Sequence, residues 1–184
     1  MILGVLITMK RTDLAASTAF HTLVSEMTYS KSLVKLSRHD VWLAELKNDE
    51  DKAAQKMKAA LEESLRFFNP NRQIFKIRNE SEALFENGGK SSLNIFVRSK
   101  DCREGLLIKR NLEDIHAIRN LCRVVRGVIW RAGFSSYPSE MDMKPILGFL
   151  ANPSYQNSSV LKDPLTPSAL FGPMSFTREE SGRA

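Results

Sequence analysis

"NLEDIHAIRNLCRVVRGVIWRAGF", residues 111–134, is the most organised segment of this sequence. Ile115, Ile118, Cys122, Val125 and Ile129 recur at spacings of three and four, which predicts one helix with an apolar seam. Asn111 suits the N-cap, Glu113 and Asp114 suit the first turn, and Gly133 suits the end. On such a helix Arg119, Arg123 and Arg126 fall together beside the seam, with His116 just beyond. A guanidinium is a planar fork of donors matched to phosphate oxygens. The expected nucleic-acid contacts are therefore Arg119, Arg123, Arg126 and His116, extended upstream by Arg103, Lys109 and Arg110. An ordinary solvated face, with arginine stems covering the core edge, carries the same pattern.

The charge distribution supports looking here. The 184-residue chain has a net charge of +6 and a pI near 9.4. Between Arg98 and Arg131 lie nine Lys/Arg and four Asp/Glu, a local excess of +5. Such a balance favours acidic partners, with RNA preferred over DNA as the expected polyanion.

Working outward, the spacing predicts a helix over 13–27 with Asp13 as its cap, and another over 48–68 stopped by Asn69-Pro70. "MILGVLITM" reads as a buried N-terminal strand, too short to span a bilayer. Residues 72–79 and 92–99 read as strands, 82–86 as a strand joined to 92–99 by the turn Asn87-Gly88-Gly89-Lys90, and 105–110 as a further strand. Residues 31–47 are ambiguous between strand and helix, and no internal repeat is evident. The order helix, three strands, helix over 49–133 is shared with double-stranded RNA-binding domains, but their Gly-rich turn and lysine cluster are absent, so no family is assigned.

Six of seven prolines lie beyond Tyr137. The expected organisation is one α+β domain over 1–134, with a small antiparallel sheet of three to four strands and helices packed on one face. An extended Pro/Ser-rich tail is expected over 135–184. The tail has two apolar islands. Ile146, Leu147, Phe149 and Leu150 form one, and Leu170 and Phe171 the other, giving candidate protein-docking residues within 141–173. For the first island, folding back on the domain's own core is the favoured alternative.

Motifs for chemistry are missing. "NGGKSS" (87–92) lacks the first glycine of a phosphate-binding loop. His21, His39 and His116 are isolated, there is no Cys-x-x-Cys, and no metal site or cofactor is expected. Cys122 is expected in the core and Cys102 in an exposed turn, with a reducing compartment, cytoplasmic or nuclear, as the setting. Phe75, Phe85 and Phe96 are expected mainly as core, although a sheet displaying them would stack bases. The expectation is a non-enzymatic nucleic-acid-binding protein without catalytic residues. The alternative is an adaptor, accessory regulator or small subunit of a larger assembly, docking through the tail.

Overall fold

A computed structural model describes residues 1–25, 32–47, 51–63, 67–79, 92–99, 102–136, 139–150 and 160–161. The elements are β1 (Ile2–Met9), α1 (Leu14–Ser25), β2 (Leu33–Leu46), α2 (Asp51–Glu63), β3 (Gln73–Asn79), β4 (Ser92–Ser99), α3 (Cys102–Asp114), β5 (Leu121–Phe134), α4 (Glu140–Leu150) and β6 (Val160–Leu161). The fold is α+β; among the described residues it has five substantial antiparallel strands, where three to four were expected, and a two-residue sixth at the edge. Their order is β3-β1-β2-β5-β4-β6.

The 111–134 segment is not one helix. It is the end of α3, a turn, and the 14-residue strand β5. Ala117 sits in the left-handed region at φ 53°, and the Ile118 amide returns to the Leu112 carbonyl at 3.0 Å, which stops α3. Beyond the turn the chain follows a period of two. Val124, Trp130, Ala132 and Phe134 are buried on the helix-bearing side of the sheet. The expected seam is dissolved: Ile115 is 63% exposed and Cys122, expected in the core, is also exposed. Residues 105–110, expected as a strand, belong to α3. Among the described residues the order from α2 onward is therefore helix, strand, strand, helix, strand.

The ambiguous 31–47 is β2, paired with β1 on one side and β5 on the other. Asp13 caps α1, its Oδ1 accepting from the Ala15 and Ala16 amides at 2.9 and 3.3 Å. The Asn87–Lys90 turn, the 82–86 strand and Phe85 lie outside the described residues.

Among the described residues, all four helices cover one face of the sheet. Register places Leu3, Val5, Ile7, Trp42, Ala44, Val124, Trp130, Leu93, Ile95 and Val97 on that face. Two buried clusters form there. One joins β1 and the end of β2 to Met57 and Leu61 of α2 and Leu112 of α3. The other joins β4 and the end of β5 to Ala16 and Leu23 of α1 and to Met143, Ile146 and Leu150 of α4. The tail expected from residue 135 thus begins instead with a core helix.

The two clusters expose an internal repeat that reading along the chain misses. β1 pairs with β2 and β3 as β4 pairs with β5 and β6. Leu3 opposite Ala44 and Val5 opposite Trp42 recur as Leu93 opposite Ala132 and Ile95 opposite Trp130. Thr8 opposite Ile74 recurs as Arg98 opposite Leu161. The relation is a pseudo-two-fold through the pair Asp40–Val128 at the centre of β2 and β5. Set side by side, "LVKLSRHDVWLAEL" (33–46) and "LCRVVRGVIWRAGF" (121–134) share Leu33/Leu121, Arg38/Arg126, Trp42/Trp130 and Ala44/Ala132. Both tryptophans of the chain occupy the same buried place, one in each half.

Candidate nucleic-acid interface

Strand geometry separates the residues that a helix would have gathered. Arg123 lies opposite Glu45 and Arg126 opposite Trp42, so the two arginines project from opposite faces of the sheet. Arg119 is exposed in the turn before β5. His116 is almost buried; its ring packs near Phe67 at a centroid distance of 6.2 Å and its Nδ1 lies 3.7 Å from Glu63 Oε2. None of these four contributes to a common flank.

Arg126 is tied to the fold. Its guanidinium meets Glu104 of α3 at 2.8 Å. Its repeat partner Arg38 does the same in the first half, 3.6 Å from Asp13 at the start of α1 and 2.9 Å from Asp40. Lys109 donates to the Cys122 carbonyl at 3.1 Å and lies 3.7 Å from Glu113. Arg103 and Arg110 are exposed on α3, one on either side of the exposed Leu106 and Leu107.

The first apolar island is not a free docking segment. Ile146 and Leu150 are 1% exposed in the core, and Leu147 and Phe149 pack against it. Heptad-like spacing within 143–150 was the signal for this helix, despite Pro145. Leu170 and Phe171 lie outside the described residues.

The other face of the sheet was not anticipated as a unit. No helix of the described residues lies on it. Register assigns it Lys35 and Glu45 of β2, Lys76 and Arg78 of β3, and Arg123 and Arg131 of β5. Among the residues whose side chains are described, five Lys/Arg thus share this face with one carboxylate, with His39 on the same side hydrogen-bonded to Thr8 at 2.9 Å. Leu6, Val41, Leu43 and Ile129 form an apolar floor, bordered by half-buried Ile2, Phe96 and Val125. Phe96 lies against Gly127, whose missing side chain makes the room: a Cβ there would stand 2.4 Å from the ring. Asn94 accepts from Arg131 Nε at 3.0 Å, which orients that guanidinium along the face.

Period-two reading of β5 would have found Arg123 and Arg131 on one side, and the same reading of 72–79 adds Lys76 and Arg78. No group of three or more His, Cys, Asp or Glu that could hold a metal occurs among the described residues, and none of their helices is long and apolar enough to cross a membrane. Comparison with protein-family models, curated proteins and solved structures finds no match to this chain.

Proposed function

We propose that this chain is a non-enzymatic nucleic-acid-binding protein, with RNA favoured over DNA, and that it binds through the helix-free face of its sheet. The observation that carries this reading is the charge on that face: Lys35, Lys76, Arg78, Arg123 and Arg131 against Glu45. Exposed Lys76 and Arg123 lie on β3 and β5, and Arg131 lies beside the half-buried Phe96 of β4. Basic groups around an accessible aromatic ring are what single strands use, because phosphates supply affinity and bases supply a flat surface to stack. A sheet face suits splayed, single-stranded RNA better than a duplex groove.

The test is fluorescence anisotropy with a labelled single-stranded RNA across a salt series. With three to four phosphate contacts, log K falls against log salt with a slope of about −2 to −3. The triple change Lys76→Ala, Arg78→Ala and Arg123→Ala is expected to make that slope shallower by about 2. An absence of binding at low salt, or unchanged affinity and slope in the triple variant, overturns the proposal.

A further inference from the structure

The repeat supplies an internal comparison between two corners of the fold. In each half the first strand of the pair ends early, leaving the opening residues of its longer partner without a strand neighbour on that side: β1 partners β2 only as far as Asp40, and β4 partners β5 only as far as Gly127. In the second half α3 closes directly onto this edge. A Cβ on Gly105 would lie 2.3 Å from the Val124 carbonyl oxygen, and Lys109 donates to the Cys122 carbonyl at 3.1 Å.

In the first half the matching helix positions are filled differently. Aligning the buried residues Ala16 and Leu23 of α1 with Gly105 and Leu112 of α3 puts Phe20 where Lys109 stands. The strand residues matching Cys122 and Val124 are Val34 and Leu36. Ala16, Phe20, Val34 and Leu36 all line an open pocket of about 390 Å³ between β1, α1 and β2. What α3 seals, α1 leaves open.

We infer that this first corner binds a small phosphorylated ligand with a flat apolar part, of the size of a nucleoside monophosphate. The volume is within the usual range of small-molecule sites, about 300–1,000 Å³. Arg11 and Lys35 are exposed on its lining and supply two cations for a phosphate. Thr8 and Ser37 line it beside His39, their hydroxyls 2.9 and 3.4 Å from its ring nitrogens. Arg38 also lines the pocket, but it is held by Asp13 and Asp40 and so fixes the wall. The Ala15, Ala16 and Ser17 amides of α1 are already taken by Asp13, so the side chains, not the helix end, receive the phosphate. Phe20 and Met9 offer the apolar surface for the flat part.

The site shares Lys35 with the cations of the sheet face and adjoins it through Thr8 and His39, whereas Lys76, Arg78, Arg123 and Arg131 lie outside it. The experiment is isothermal titration of the full chain with adenosine monophosphate, and separately with inorganic phosphate. One saturable site is expected for the nucleotide, with phosphate weaker. Arg11→Glu with Lys35→Glu, both at exposed positions, is expected to weaken nucleotide binding by about tenfold or more while leaving thermal unfolding in place. Lys76→Ala with Arg78→Ala is expected to leave nucleotide binding unchanged, whatever it does to RNA. Phe20→Lys, which copies the sealed corner, is expected to abolish binding. The inference is overturned by the absence of a saturable site, by equal affinity for phosphate and nucleotide, or by unchanged binding in the Arg11/Lys35 variant.

Discussion

Gly105→Ala and Gly148→Ala are the same substitution in two helices, and the fold gives them opposite signs. Neither glycine has the left-handed backbone that a side chain would strain. Replacing glycine by alanine inside a helix is worth about 1 kcal/mol in propensity. At Gly148 a new Cβ meets nothing within 4 Å, so that gain is realised in full. At Gly105 the new Cβ would stand 2.3 Å from the Val124 carbonyl oxygen, which is backbone and cannot rotate away. An ordinary contact is about 1 Å longer, so α3 must retreat from β5 and loosen the Leu112 contacts, an overpacking cost of about 1–3 kcal/mol. The net is a loss of up to about 2 kcal/mol at Gly105 and a gain of about 1 kcal/mol at Gly148. Urea unfolding followed by circular dichroism reads both. With a slope of about 2–3 kcal/mol per molar, the midpoint falls by up to about 1 M for Gly105→Ala and rises by a few tenths for Gly148→Ala. If both variants are stabilised, α3 does not sit on the β5 edge and the account of the sealed corner fails.

Other consequences follow from the same packing. Ala117→Gly relieves a left-handed alanine and is expected to raise stability by about 1 kcal/mol, read as a higher urea midpoint; a lowered midpoint would contradict the turn that ends α3. Ile146→Ala and Leu150→Ala remove fully buried side chains and are expected to cost about 2–5 kcal/mol each in thermal or urea unfolding, whereas a free docking segment would tolerate both. Arg126→Ala breaks a bridge whose side chains are 39% and 44% exposed, so a loss below about 1 kcal/mol is expected, with RNA anisotropy unchanged; a larger effect on RNA than that of Arg123→Ala would return Arg126 to the binding surface.

Much of the architecture was legible because local patterns are strong where a segment has one solvated side. β4 alternates cleanly, with Leu93, Ile95 and Val97 on the buried side, and α1 announces itself through Asp13. The failure at 111–134 has a definite cause. The stop signal of α3 is a left-handed alanine, and alanine is the residue that most favours continuing a helix. Downstream, Val125 and Ile129 project from the sheet face opposite Val124 and Trp130, so apolar side chains occupy both sides of β5. Apolar residues on both faces erase alternation, and an accidental spacing of three and four then looks helical. The arginine flank inherited that error. Its members were correctly seen as concentrated charge, but only Arg123 reaches the face that gathers cations from three strands. Lys76 and Arg78 are distant in sequence and join that face only through the pairing of β3 with β1.

The repeat changes how individual residues are weighed. Each buried cluster takes two strands and the second helix from one half, and borrows the first helix of the other, so the halves interlock. A residue kept in both halves answers a demand that both halves make. Trp42 and Trp130 fill equivalent clusters, and Arg38 and Arg126 each tie a long strand to an acid at the start of the preceding helix. That argues for a role in assembling the fold, and it is the reason Arg126 is removed from the phosphate contacts. Where the halves diverge, the fold has made no such demand. His39 stands for Gly127, Ser37 for Val125, and Phe20 for Lys109. All three first-half residues line the open corner. The topology repeats while the side chains around this corner differ, which is the arrangement that specialisation of one half for a ligand would leave.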